Sequence, residues 1–185
     1  MHRRKNRIYS MILTGFFATL MCIGAWVHFP FAVPVTMQTF VAMCSLGLLG
    51  CRRTFYMLGI YIMLGSAGLP VFSGFTGGIG ALAGPTAGFI WGFLLGVPVF
   101  YLTEKCMKDS SYKIYIGYII YIIIHYIPGA LWYTYFTAKT ISISGVIAAS
   151  SITVLPFVIP DAVKVFLSVF IVKRLKPVLN KMSIN

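Results

Sequence analysis

Long apolar runs, separated by short polar or glycine-rich stretches, dominate the chain. The first run extends from Ile8 to Phe29, which is long enough for a helix to cross the hydrocarbon core of a bilayer. Later runs have the same character, although the second is short for a span. The pattern predicts six membrane-spanning helices, at about 8–29, 35–50, 54–69, 86–103, 114–136 and 145–172.

Prolines mark two places where helical structure is expected to break. Pro30 and Pro34 follow the first run and end its helix. Pro156 and Pro160 fall inside the last run, just before Asp161. They predict a broken span whose second half begins near Asp161, with backbone groups exposed to a cavity.

Positive charge divides unevenly between the two sets of connections. Thirteen of the 15 cations lie in the N-terminus, the second-to-third connection, the fourth-to-fifth connection or the C-terminus: Arg3, Arg4, Lys5, Arg7, Arg52, Arg53, Lys105, Lys108, Lys113, Lys173, Arg174, Lys176 and Lys181. The opposite connections carry only Lys139. Cytoplasmic loops of membrane proteins are enriched in Lys and Arg. We therefore predict an all-α, polytopic protein with cytoplasmic N- and C-termini, forming a single integral membrane domain over residues 1–185.

Composition excludes several function classes. A mean hydropathy of +0.90 with 10% charged residues is too apolar for a soluble domain of 185 residues. The net charge of +12 lies in tufts rather than on one solvated face, which argues against nucleic-acid binding. The chain has no G-x-x-x-x-G-K-[ST] motif, three acids, and four cysteines without metal-ligand spacing. We expect no ATPase or other enzyme, no metal and no cofactor.

Asp161 and Lys164 are the first candidate functional residues. They stand three positions apart inside an apolar run, so they share one helix face. Ionisable side chains within a membrane are costly and usually mark a functional site. The alternative is a mutual ion pair that only holds the last helix in place. His125 also lies within a span, where it either faces a cavity or makes a structural hydrogen bond.

A glycine-rich segment and a stripe of small residues are further candidates. Residues 74–80 contain four glycines, which suggests a flexible cap over a small ligand or, alternatively, an ordinary turn-rich loop. Small side chains permit close helix–helix contact. One stripe of the first helix carries Gly15, Ala18, Cys22 and Ala25. The stripe packs either inside the domain or against another subunit, and we take partner binding as the working prediction.

Three segments together resemble the BioY family, the biotin-specific S components of energy-coupling factor (ECF) transporters. Residues 33–40 read Val-Pro-Val-Thr-Met-Gln-Thr-Phe. Residues 68–80 read Gly-Leu-Pro-Val-Phe-Ser-Gly-Phe-Thr-Gly-Gly-Ile-Gly, followed by Gly-Pro-Thr-Ala-Gly-Phe at 84–89. The third segment contains Pro156-Phe157, Asp161 and Lys164. The chain departs from the family pattern at Ala87, at Cys51, where proline is common, and at Ile159-Pro160, where Pro-Gly is usual.

The resemblance implies six helices and a biotin pocket near the external side. It also implies a transmembrane coupling protein and a pair of cytoplasmic ATPases as partners, in a bacterial plasma membrane. Asp161 would accept hydrogen bonds from the ureido N–H groups of biotin, and Lys164 would contact the ureido oxygen or the carboxylate. Further contacts are expected from Thr36, Gln38, Thr86, Phe75, Gly77 and Gly78.

Three other functions remain as alternatives at this stage. An S component for another vitamin would share the topology but bind a different ligand. A membrane-embedded enzyme is disfavoured because the sequence offers no catalytic set. A purely structural assembly subunit would bind no small molecule.

Overall fold

The protein is mostly helical. The computed structural model describes residues 2–31, 33–107 and 112–184, so Lys108 lies outside the described residues. Within them are eight α-helices: α1 (His2–Trp26), α2 (Gln38–Leu49), α3 (Cys51–Ser66), α4 (Ile79–Ala83), α5 (Ala87–Cys106), α6 (Lys113–Ala138), α7 (Ile143–Thr153) and α8 (Leu155–Ile184). Two short strands, β1 (His28–Phe29) and β2 (Val35–Thr36), pair antiparallel. A 3-10 turn spans Ser73–Phe75.

Four of the described helices are long and apolar enough to cross a membrane. Their spanning segments are Arg7–Trp26, Ala87–Cys106, Lys113–Ala138 and Leu155–Leu179. The α2 helix has 12 residues. At a rise of 1.5 Å per residue it reaches only about 18 Å, against about 30 Å of hydrocarbon. The helical, membrane-spanning character is therefore confirmed, whereas six full spans and cytoplasmic termini stay predictions.

The predicted last span is two helices. α7 ends at Thr153 and α8 begins at Leu155, so the break between the two helices lies at Val154, seven residues before Asp161 and not beside it. The expectation that a second half begins near Asp161 was wrong. Pro156 is tolerated in the first turn of α8, where its missing N–H has no intrahelical partner to lose. Pro160 then lies inside the helix, and Asp161 occupies its second turn.

Glycine brings α5 and α6 into backbone contact. Gly88, Gly92 and Gly96 recur every four residues and so share one face of α5. A Cβ atom added at Gly92 would lie 2.6 Å from the carbonyl oxygen of His125 on α6. One added at Gly96 would lie 2.5 Å from the ring of Tyr121. The backbones of α5 and α6 are therefore in direct contact, which small residues permit between helices in membranes.

The core lies between α1, α2, α3, α5, α6 and α8. Its largest fully buried side chains include Met21, Met57, Tyr61, Phe100 and Tyr118. These side chains separate two ends of the bundle. The loop end comprises residues 27–37, 67–86 and 139–142, and the basic end comprises residues 50–53, 104–107, 112–113 and 173–181. Trp26 Nε1 donates to the carbonyl oxygen of Pro70 at 2.9 Å, and Trp132 Nε1 donates to that of Gly84 at 2.8 Å, which ties the loop end together.

Most of the small-residue stripe on α1 packs inside the chain. Ala18, Cys22 and Ala25 are 4%, 8% and 0% exposed, and α1 packs against α2 and α3. Gly15 alone of the four is exposed. The arrangement favours internal packing for the three buried members, because a partner subunit reaches only Gly15 without rearranging α1.

Candidate functional site

A cavity of about 490 Å³ opens at the loop end of the bundle. Its walls are mostly apolar and come from β2, the 72–86 segment and several helices. The apolar wall includes Val33, Val35, Phe72, Phe89, Phe93 and Phe157. Its volume lies within the range usual for small-molecule sites, which combine apolar walls with a few fixed polar groups.

Lys164 lies at the bottom of this cavity with all three of its ammonium donors in use. Its Nζ atom lies 2.6 Å from Asp161 Oδ1, 2.7 Å from the carbonyl oxygen of Thr36 and 3.1 Å from Thr39 Oγ1. Lys164 is 6% exposed, so its charge is largely shielded from solvent. An ammonium has three donors and no acceptor. Lys164 therefore holds α8 to β2 and α2 and has no unused hydrogen.

Asp161 is the acceptor at the centre of the same network. Its Oδ1 atom accepts from Lys164 and from Thr39 Oγ1 at 3.0 Å, and its Oδ2 atom accepts from Tyr126 OH at 2.6 Å. The residue is 3% exposed. An ionised carboxylate offers about four lone-pair sites. Oδ2 therefore retains one site for a further donor, such as an N–H group of a ligand in the cavity.

A second hydrogen-bond chain links β2, α2 and α3. Thr36 Oγ1 donates to Gln38 Oε1 at 3.0 Å, and Gln38 Nε2 donates to Tyr61 OH at 2.6 Å. Tyr61 OH in turn donates to the carbonyl oxygen of Val71 at 3.1 Å. These hydrogen bonds hold the Gln38 side chain in place. Because its amide carries two N–H groups and only one binds Tyr61, the other is left for the cavity.

Six of the eight predicted substrate-binding residues line the cavity. They are Thr36, Gln38, Gly77, Thr86, Asp161 and Lys164. Phe75 and Gly78 do not. Phe75 is 61% exposed and stacks on Trp26, with ring centroids 5.2 Å apart. Its backbone is left-handed (φ +57°), as is that of Gly74 (φ +69°), and this turn carries the ring outward.

Sequence reasoning missed four polar residues of the cavity region. Thr39 and Tyr126 bind Asp161, Tyr61 binds Gln38, and Ser73 lines the cavity with its hydroxyl oxygen buried and unpartnered. Two of the four are tyrosines within apolar runs, where pattern alone indicates packing. Thr39 lay inside the quoted 33–40 segment, so its position was the one signal that could have found it.

His125 lies in the cavity wall, which was one of its two predicted placements. Its ring stacks on Phe93 with centroids 4.3 Å apart. Its Nδ1 atom is buried without a hydrogen-bond partner. The alternative prediction was a structural hydrogen bond from the ring. Among the described residues, Nδ1 makes no such bond.

The polar groups that line the cavity are few, and most of them are already paired. Among its described lining residues are one carboxylate and one ammonium, already paired with each other, one histidine whose Nδ1 has no hydrogen-bond partner, and no cysteine. Nucleophilic or acid–base chemistry needs a group activated by a partner and held against the substrate. The arrangement can instead hold a small, largely apolar molecule through a few fixed donors and acceptors.

Comparison with known proteins gives one consistent family. A family model described as the BioY family matches residues 1–181. The biotin transporter BioY of Thermotoga maritima is 33% identical over 90% of this chain and 95% of its own length. The probable biotin transporter BioY of Pyrococcus horikoshii is 32% identical over 89% of this chain and 94% of its own length.

A solved structure shares the fold. The crystal structure of the S-component for biotin from an ECF-type ABC transporter superposes with a TM-score of 0.76. The match covers 94% of this chain and 93% of that chain at 24% sequence identity. The order and packing of helices described above therefore match those of that solved structure.

Proposed function

The chain belongs to the BioY family, and from that premise we propose that it captures biotin in the loop-end cavity as the substrate-binding subunit of an ATP-driven ECF transporter. The observation that carries the proposal is the buried network around Asp161. It places one carboxylate with unused acceptor capacity inside an otherwise apolar cavity of about 490 Å³. This combination matches a ligand that has an apolar body and a few N–H donors.

Asp161 is assigned to the ureido group of biotin. That group carries two N–H donors and one carbonyl acceptor, and Asp161 Oδ2 is held in orientation by Tyr126 at 2.6 Å. Hydrogen bonds to a charged acceptor are stronger than those between neutral groups. The second N–H of Gln38 is the donor assigned to the ureido oxygen, with Ser73 and His125 supplying further polar contacts.

Lys164 takes a different role from the one that the family resemblance implied. Its three donors already bind Asp161, Thr36 and Thr39, so contact with the ureido oxygen or the carboxylate would break an existing bond. We assign it to neutralising Asp161 and to fixing β2 against α8. In this role it offsets the charge of the carboxylate and holds it in orientation without contacting the ligand.

The carboxylate of biotin is placed near Thr86. Among the described lining residues Lys164 is the only Lys or Arg, and its donors are taken. Thr86 is the N-cap of α5, a 20-residue helix, and its side chain makes no capping bond there. Two N–H groups at the beginning of α5, those of Ala87 and Phe89, already bind carbonyl oxygens, so the attraction for an anion here comes from the helix dipole and the Thr86 hydroxyl. Biotin would therefore extend from Asp161 toward the beginning of α5.

The energy for uptake is proposed to come from partners. These are a transmembrane coupling protein and a pair of cytoplasmic ATPases in the bacterial plasma membrane, since the sequence has no nucleotide-binding motif. Six spans and cytoplasmic termini complete the proposal, supported by the thirteen cations of the predicted internal connections. Gly15, as the exposed member of the stripe, is the part of that stripe assigned to partner contact.

Vesicle uptake of labelled biotin tests this function. We expect accumulation only when the chain, the coupling protein and the ATPases are reconstituted together with internal ATP. The purified chain alone should bind biotin but hydrolyse no ATP. Equal ATP-independent accumulation by the chain alone would contradict the substrate-binding-subunit assignment, as would accumulation that excess unlabelled biotin fails to suppress.

A further inference from the structure

A second concave surface lies at the opposite end of the molecule from the biotin cavity. It is a groove of about 680 Å³ between the beginning of α6 and the second half of α8. Tyr115 and the buried Val169 form its floor, and Phe166, Leu167 and Phe170 are exposed along it. The rings of Tyr115 and Phe166 meet edge to face with centroids 6.2 Å apart. The groove is therefore apolar and largely aromatic.

Two cations border this groove at the basic end. Lys173 Nζ lies 5.3 Å from the ring centroid of Tyr115, and Arg174 Cζ lies 5.3 Å from that of Phe170. Both side chains are exposed. Within the part of the chain that the structure describes, neither cation has a carboxylate at salt-bridge distance, and Asp161 is paired with Lys164. Aromatic faces hold these two charges in place without neutralising them.

The position along α8 sets the level of the cations relative to a bilayer. From Leu155 to Val172 the helix has a predominantly apolar stretch, interrupted only by the buried pair and the buried Ser168, and at 1.5 Å per residue it covers about 27 Å. That length is close to the thickness of the hydrocarbon core, about 30 Å. Phe166, Leu167 and Phe170 therefore face acyl chains, whereas Lys173 and Arg174 stand at the headgroup level.

We propose that this groove binds an anionic phospholipid, with one acyl chain along Phe166 and Phe170 and the phosphate between Lys173 and Arg174. The apolar part of the groove matches an acyl chain in position, and the two cations without a carboxylate partner match the phosphate of the headgroup. Basic pockets between spanning helices are a known mode of recognising acidic headgroups. The site depends only on the chain's being in a membrane, so it stands or falls separately from biotin binding.

Native mass spectrometry of the detergent-purified chain tests the site. The probes are phosphatidylglycerol, phosphatidylcholine and soluble glycerol phosphate, each titrated separately. We expect one retained phosphatidylglycerol, weaker phosphatidylcholine binding and no glycerol phosphate adduct. The variant Lys173→Gln/Arg174→Gln should bind phosphatidylglycerol about 25-fold more weakly, at roughly fivefold for each cation removed.

The variant Lys176→Gln/Lys181→Gln is a matched control, because it removes the same charge from exposed positions of the same helix. Its affinity for phosphatidylglycerol should be within about twofold of that of the wild type, because Lys176 and Lys181 lie outside the groove. Equal losses of phosphatidylglycerol affinity in both double variants would show that net charge alone determines binding, and would overturn the proposal. Unchanged lipid binding together with lost co-purification of the coupling protein would also overturn it and make the groove a protein interface.

Discussion

Replacing Lys164 with Met is expected to lower the free energy of unfolding by about 3–5 kcal/mol, because the change leaves Asp161 charged, buried and without its cation. Asp161 is 3% exposed and has no other cation among its described hydrogen-bond partners. Asp161→Asn alone leaves the ammonium of Lys164 buried in the same way. The double variant Asp161→Asn/Lys164→Met removes both charges and should recover most of the lost stability. Thermal unfolding of the detergent-purified proteins measures all three, with the exposed Lys176→Met as the matched control.

The same double variant separates a structural pair from a ligand site. If Asp161 accepts from biotin, the variant folds but binds biotin about ten- to a hundredfold more weakly, the usual contribution of a hydrogen bond to a charged group. If the pair only joins α8 to β2, the double variant binds as the wild type does. Wild-type affinity in a folded double variant would contradict the ureido assignment and would move that role to Gln38 and Thr36.

Gly92→Ala is the second substitution with a large expected effect. Its Cβ would lie 2.6 Å from the carbonyl oxygen of His125, and backbone cannot move aside as the end of a side chain can. Separating α5 from α6 would also displace Phe93 and His125 in the cavity wall. We expect a loss of about 1–3 kcal/mol or more in unfolding free energy, as for other overpacked interiors, together with weakened biotin binding.

Gly59→Ala is the control for that substitution. Gly59 lies in α3, and a Cβ atom there meets nothing within 4 Å. Alanine is a better helix former than glycine by about 1 kcal/mol, so this change should be neutral or slightly stabilising. The measurement is again thermal unfolding, supported by size-exclusion profiles. Similar behaviour of the two variants would show that the α5–α6 contact is not as tight as the structure has it.

Hydrophobic run length predicted the long helices well. The runs at 8–29, 86–103 and 114–136 correspond to α1, α5 and α6, with ends displaced by a few residues. Such runs are reliable because a bilayer imposes one length on any helix that crosses it. The last run was different. Its two prolines led to a predicted break near Asp161. The first turn of a helix accommodates proline, and the break lies at Val154 instead.

The candidate site was predictable where polar residues stood out against apolar surroundings. Asp161 and Lys164 were found in this way, whereas Thr36 and Gln38 came only from the resemblance of residues 33–40 to the BioY family; all four line the same cavity. Tyr126 and Tyr61 escaped because a tyrosine in an apolar run has no pattern that separates a hydrogen-bond donor from a packing residue. The saturation of Lys164 was also beyond sequence reasoning, since two of its three acceptors lie 125 or more residues away along the chain. Phe75 lies outside the cavity lining because its orientation depends on a left-handed backbone angle, which the sequence pattern does not reveal.

Calorimetric titration of the purified chain with biotin, and separately with riboflavin and thiamin, tests the central claim most directly. The account predicts saturable binding of one biotin per chain and no detectable heat of binding for the other two vitamins. The same titration with biotin methyl ester should show weaker binding, because the ester removes the charge placed near Thr86. No binding of biotin by folded protein, or equal binding of another vitamin, would contradict the account.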